Sequence, residues 1–226
     1  MGQHINKIIE HAIRKNWEEL AMTDFNGISL QYRDVARKIA KLHLLFDKAG
    51  IVRGDKIAIC GKNGTQWSVA FLAVLTYGAV AVPILHEFKP DNMLHIINHS
   101  EAKLLFADSS IWENLDADNM PYIEGVFNIA DYSLLLSRDE AITEARKTLN
   151  ALFGNRYPER FTKEDVIYGE FDRDSLAVLS YTSGSTGFSK GVMIPYRAIE
   201  SNINFALEKL TFLGPGDGLI CMLPLA

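Results

Sequence analysis

Apolar positions along this chain fall alternately into short continuous runs and longer stretches with helical spacing. That alternation predicts strands interleaved with helices. Residues 3–15 read as a short amphipathic helix, and Leu20 to Tyr32 as a hairpin turning at Asn26-Gly27. Val35, Ile39, Leu42 and Phe46 form a helical stripe, with Gly50 at the place of a C-cap. Gly54-Asp55 is a turn before a strand, Lys56 to Cys60. Trp67 to Leu75 is apolar nearly all round, which predicts a helix covered on several sides. Ala79 to Val82 is a continuous strand closed by Pro83. Pro90-Asp91 opens a helix whose inner face is Met93, Ile96 and Ile97. Leu104 to Ala107, Gly125 to Ala130 and Ser175 to Ser180 read as further strands. Gly191 to Ile194 is a short strand, followed by a helix with Pro195 in its first turn and a stripe of Ile199, Ile203, Ala206 and Leu210. Gly214-Pro215-Gly216-Asp217 is a turn, and Gly218 to Leu223 a last strand. Strands alternating with helices predict parallel βαβ units, hence an α/β fold with a parallel sheet layered by helices.

One stretch breaks the rhythm. Residues 131–174 are highly charged and of both signs, and read as a surface excursion between core strands. Ile142, Ala145, Leu149 and Leu152 give it one amphipathic helix, ended by Gly154. Thr162-Lys163-Glu164-Asp165 has the form of a capping box. With 226 residues the chain buries a sizeable core, roughly 70% of its unfolded surface. Its net charge of -5 supplies no global field toward nucleic acid or an acidic membrane, so an anionic ligand must be held by local groups. Cys60 and Cys221 lie in apolar, strand-like runs and read as buried free thiols of a reducing compartment. Met1-Gly2 invites a myristoylation reading, but Asn6 stands where Ser or Thr is required. The absence of a signal-peptide pattern and of a long apolar run makes the cytoplasm the expected location. The six histidines, His4, His11, His43, His86, His95 and His99, show no metal spacing and read as surface or helix-end residues.

The chemistry is concentrated in Tyr181-Thr182-Ser183-Gly184-Ser185-Thr186-Gly187-Phe188-Ser189-Lys190-Gly191. Three glycines, five aliphatic hydroxyls and one lysine share these eleven residues. Backbone N–H groups and hydroxyls in such a loop can fold around a polyphosphate while the lysine supplies positive charge. The stretch is not a Walker loop. Gly184 and Gly187 are separated by two residues, and Gly191 rather than Ser or Thr follows Lys190. ATP is the ligand this pattern points to, and the glycine-rich loop is expected to be mobile over 183–189 when empty.

At these residues the chain resembles the adenylate-forming superfamily of acyl-CoA synthetases, luciferases and peptide-synthetase adenylation domains. Tyr181 to Val192 is similar to that family's phosphate loop. Leu30-Gln31-Tyr32-Arg33, Gly54-Asp55-Lys56-Ile57-Ala58-Ile59, Gln66-Trp67 to Pro83, and Leu223-Pro224-Leu225-Ala226 resemble other segments of it. Ser189 stands where the family has proline, Ser185 replaces a threonine, Gln31 replaces a threonine, and Pro195-Tyr196 replaces a Thr/Ser-His pair.

The resemblance implies a large αβαβα domain of which residues 1–226 are the N-terminal part, with the C-terminal lid absent. It implies ATP-dependent activation of a carboxylic acid, fatty by expectation, through an acyl-adenylate. Thioester formation with coenzyme A follows, making the whole protein an acid–thiol ligase. It assigns phosphate contacts to Thr182, Ser183, Ser185, Thr186 and Lys190, close backbone approach to Gly184 and Gly187, a catalytic role to Lys190, and the magnesium of Mg-ATP to Thr182. The implied adenine, acyl and catalytic-lysine residues lie outside these residues, so the chain alone is expected to be inactive. Two other readings stand beside this one: a non-catalytic isolated subdomain, and an adenylation domain loading a carrier protein or an amino acid. Open apolar edges predict self-association.

Overall fold

The computed structural model describes residues 3–182, 190–214 and 216–226. Helix α1 (Ile5–Lys15) precedes a small antiparallel hairpin of β1 (Leu20–Thr23) and β2 (Ser29–Gln31). Asn26 takes a positive φ of 52° in the turn, which closes from Gly27 N–H to the Asp24 carbonyl at 3.0 Å, so Asn26-Gly27 are its last two residues rather than a two-residue hairpin loop. Next come α2 (Tyr32–Lys48), β3 (Lys56–Cys60), α3 (Thr65–Tyr77), β4 (Val80–Ile84), α4 (Pro90–Ser100) and β5 (Leu104–Ala107). A single turn, α5 (Ser109–Trp112), leads to β6 (Gly125–Asn128), β7 (Leu134–Ser137) and α6 (Glu140–Arg156). The chain returns through β8 (Leu176–Thr182), β9 (Lys190–Pro195) and α7 (Tyr196–Lys209).

Seven strands form one sheet in the order β7-β6-β5-β3-β4-β8-β9. The five central strands are mutually parallel, while β7 and β9 are antiparallel edges. The sheet is therefore mixed rather than purely parallel, within the expected α/β class. Period-two alternation divides its apolar side chains between two layers. Ile57, Ile59, Leu104, Phe106 and Phe127 face a core shared with α1, α2, α3 and α6. Ala58, Cys60, Leu105 and Ala107 face a second core closed by Met93, Ile96 and Ile97 of α4. Helix α3 is buried on several sides, as its composition requires.

Residues 131–174 contribute the edge strand β7 and helix α6, whose Ile142, Ala145 and Leu149 are buried while its charged positions stay outside. At this contact a Cβ on Gly125 would lie 3.1 Å from Ile142 Cγ2, so the helix packs closely on the sheet. The capping box is present, with Thr162 N–H donating to Asp165 at 2.8 Å.

Four local expectations are corrected. Pro83 lies inside β4 rather than closing it. Val80 N–H donates to Asp55 on the β3 side, so alternation turns position 83 toward β8. The described register with β8 is Ala81↔Val178, so proline's missing donor falls where no such pair is required. Gly154 does not end α6, which runs to Arg156. The rings of Phe153, Tyr157 and Phe161, with centroids 4.8–5.5 Å apart, carry the helix past it. Pro195 is the N-cap of α7, one position before its first turn. Finally, 218–223 forms no strand and is exposed. A strand exists only where a neighbour completes its ladder, and these residues have none among those described. The turn before it closes through Asp217 N–H to the Gly214 carbonyl at 3.1 Å, with Pro215 outside the described residues.

Candidate functional site

The parallel strands β3, β4, β5 and β8 end at one edge of the sheet, at Cys60, Ile84, Ala107 and Thr182. Carboxyl ends of parallel strands are where open α/β sheets bind ligands, because the diverging connections leave a crevice there. At this edge β8 turns back into β9. Their pairing runs from Leu176↔Pro195 to Thr182↔Lys190. Thr182 and Lys190 are thus direct cross-strand partners, about 5 Å apart at Cα, and both are exposed. Of the expected phosphate residues, these two are brought together. Ser183, Gly184, Ser185, Thr186 and Gly187 lie outside the described residues, as does the expected mobility of 183–189.

Tyr181 points to the opposite face from Thr182 by strand alternation. It is 6% exposed, and burial raises its phenol above the ordinary range. Its hydroxyl lies 2.7 Å from His99 Nδ1 in the last turn of α4. The Tyr181 ring lies beside Gly191, where a Cβ would stand 3.3 Å from Tyr181 Cζ. His95 and His99 lie one turn apart, with ring centroids 5.7 Å apart and the rings tilted by 38°. Among the described residues no group of three His, Cys, Asp or Glu side chains could hold a metal ion.

The neighbouring strand ends are tied down by side chains. Asp108, just past β5, accepts from Lys62 N–H at 2.9 Å. Asp24, from the β1–β2 turn, takes Thr65 N–H at 2.7 Å and its hydroxyl at 2.9 Å, capping α3. Asn63 donates to the Leu223 carbonyl at 2.6 Å and accepts from Leu225 N–H at 3.0 Å. The Leu-Pro-Leu-Ala segment is thereby held at the same sheet edge as the hairpin.

Two residue classes differ from their sequence reading. Cys60 is buried, and loss of solvent pushes its thiol up to about 12, with Asp108 adding to the effect; Cys221 is exposed because 218–223 is not a strand. Two of the histidines are not on the surface: His4 is buried but stands at a helix end, as expected, and His43 is half-buried within α2. His4 caps α1, with Nδ1 accepting from Asn6 N–H at 3.1 Å, and is 2% exposed. His43 Nε2 sits 3.0 Å from both the Ala73 carbonyl and Thr76 Oγ1, and burial lowers its pKa to about 4. Tyr196, at the position of the family's histidine, is a core anchor whose hydroxyl donates to the Leu75 carbonyl at 2.8 Å. The His99–Tyr181 contact is the feature that sequence reading missed. The paired histidines of α4 were visible, but nothing local connects residue 99 with residue 181.

A family model described as AMP-binding enzyme matches residues 9–226. The Bacillus subtilis protein YdaB, which its name places among acyl-CoA ligases, is 30% identical over 205 residues, covering 88% of this chain and 38% of its own. The medium-chain fatty-acid–CoA ligase of Escherichia coli is 26% identical over 192 residues, covering 80% of this chain and 31% of its own. The chain therefore spans less than two fifths of the length of these curated relatives. A long-chain-fatty-acid-CoA ligase from Archaeoglobus fulgidus has the same fold, with a TM-score of 0.70 at 21% identity, over 95% of this chain and 40% of that one. With nearly every residue inside the family match, the chain belongs to the AMP-binding family of adenylate-forming enzymes.

Proposed function

We propose that this chain is the phosphate-binding part of a ligase that activates a carboxylic acid, fatty in character, with ATP and passes the acyl group to coenzyme A. The observation that carries this reading is the register of the β8–β9 hairpin, which sets Thr182 opposite Lys190 at the mouth of the glycine-rich loop. A free carboxylate is a poor electrophile. Its attack on the α-phosphate of ATP gives an acyl-adenylate and pyrophosphate, and a thiol then displaces AMP. Lys190 positions the β- and γ-phosphates and stabilises the charge that gathers on departing pyrophosphate. Ser183, Gly184, Ser185, Thr186 and Gly187 supply hydroxyl and backbone donors to the same phosphates. The Thr182 hydroxyl, an oxygen donor at the exposed end of β8, suits the magnesium ion that accompanies ATP. The names of the bacterial relatives support the fatty-acid and coenzyme A assignments. The cytoplasm, which supplies both nucleotides and keeps thiols reduced, is the compartment this reading implies.

The relatives' greater length supports reading these residues as part of a larger chain. The exposed apolar side chains on β9, α7 and the tail, Met193, Phe205, Leu207, Ile220 and Met222 among them, support it too. They call for burial against more protein, in the same chain or in a second copy.

Exchange of labelled pyrophosphate into ATP, in the presence of a panel of carboxylic acids, tests the reading on the intact protein. Charge-assisted hydrogen bonds contribute about 1.5–3 kcal/mol each, so Lys190→Ala should slow exchange by roughly ten- to a hundredfold. Wild-type exchange in that variant would remove Lys190 from the phosphate site. Exchange supported only by amino acids would favour an adenylation domain over a fatty-acid ligase.

A further inference from the structure

The end of the β8–β9 hairpin has an anchor outside the sheet. β9 is an edge strand with no outer neighbour among the described residues, and the described register between β8 and β4 is at Ala81↔Val178, four residues before Thr182. The last hairpin pairs, Tyr181↔Gly191 and Thr182↔Lys190, lie beyond that described pair. Two contacts of Tyr181 tie this end to the layer outside the sheet. Its ring lies against Gly191, the residue next to Lys190, and any side chain there would meet Tyr181 Cζ at 3.3 Å and Leu179 Cδ1 at 3.1 Å. Its hydroxyl reaches His99 Nδ1 at 2.7 Å, on the last turn of α4. Helix α4 is itself fixed to the sheet through Met93, Ile96 and Ile97.

We infer that His99 and Tyr181 are positioning residues for ATP: the imidazole–phenol bond ties the loop-bearing hairpin to α4 and so sets the place of Lys190 and Thr182. This inference rests on the phosphate-site reading above. Neither side chain touches the nucleotide. Each acts through the backbone of the last two cross-strand pairs. The contact holds with a neutral or a charged imidazole, since Nδ1 can accept the phenol proton or donate its own to the phenol oxygen. Its loss therefore shows in the binding of ATP.

The test compares Tyr181→Phe, His99→Leu and His99→Asn in the intact protein, by pyrophosphate exchange with ATP and acid varied separately. Tyr181→Phe deletes one oxygen and keeps the ring on Gly191. A neutral hydrogen bond has a modest net effect, so Tyr181→Phe and His99→Leu should each raise KM for Mg-ATP about three- to tenfold. KM for the acid and the melting temperature should stay near wild type. The double variant should be no worse than either single one, because both remove the same bond. His99→Asn, whose amide can take the place of Nδ1, should restore KM. An unchanged KM for Mg-ATP in Tyr181→Phe and His99→Leu overturns the inference. So does a parallel rise in both KM values with a lowered melting temperature, which marks a merely structural contact. Lys190→Ala separates the two levels. If it abolishes exchange while Tyr181→Phe is silent, only the positioning role fails; if Lys190→Ala is itself silent, the phosphate site fails and the inference with it.

Discussion

At the scale of single residues, the proposed phosphate chemistry rests on contiguous sequence. A lysine at a fixed offset from glycines and hydroxyls needs no tertiary information to be recognised, and the hairpin then places Lys190 opposite Thr182. Residues whose state depends on distant neighbours were not legible. Cys60 and Cys221 sit in equally apolar runs, yet one is buried and the other exposed. A thiol reagent at pH 8 should therefore modify one cysteine per folded chain, Cys221, and reach Cys60 only on unfolding, since the thiolate is the reactive form. Rapid modification of two would contradict this burial. His43 gives a pH dependence of definite sign. Its folded pKa is lowered to about 4, chiefly by burial, against an ordinary value of 6.5. Between those values the unfolded chain takes up a proton that the folded chain refuses. Its contribution to stability is complete above about pH 6.5 and falls away toward pH 4. The loss is about 1–3 kcal/mol for a half-buried ring. Urea unfolding at pH 7 and pH 4.5 should show His43→Gln losing less stability between the two than wild type does; equal losses would contradict the assignment.

At the scale of elements, the sequence spoke most clearly where one local pattern sufficed. The bounds of β3 and β5 follow their apolar runs, and the β1–β2 hairpin and the all-round apolar α3 formed as expected. It spoke least where an element exists only through its neighbours. β7 is an edge strand whose three leucines are partly buried, and it is paired by β6. Residues 218–223 have a similar apolar character and no described partner, and they form no strand. Pro83 sits inside β4 because alternation turns it away from the β3 ladder, a fact of register rather than composition. The junction of α3 and β4 offers a sharp test of packing between elements. Gly78 caps α3 at φ 93°, and a Cβ there would stand 2.8 Å from Phe171 Cζ, with Arg53 stacked on that ring at 4.4 Å. Left-handed backbone and overpacking act together, so Gly78→Ala should lower unfolding stability by about 2–4 kcal/mol. A change under half a kcal/mol, about the size of a neutral surface substitution, would show that the ring gives way freely.

At the scale of the whole molecule, the architecture supports placing the proposed phosphate site at one edge of the sheet. Two helical layers cover the parallel strands and leave their carboxyl ends open, and the β8–β9 hairpin, the Asn63 clamp on Leu223 and Leu225, and the capped start of α3 all lie at that edge. The fold class could be read from the βαβ rhythm. The two antiparallel edges could not, since antiparallel and parallel strands carry the same apolar runs. In the proposed function, the turn ending at Lys190 grips the polyphosphate of ATP. Calorimetric titration of Mg-ATP into the intact protein, wild type against Lys190→Ala, tests it most directly. Binding should be saturable and one-to-one, and weakened at least about tenfold by the substitution, as for loss of a charge-assisted hydrogen bond; equal affinity in the two proteins would remove Lys190 from the phosphate site.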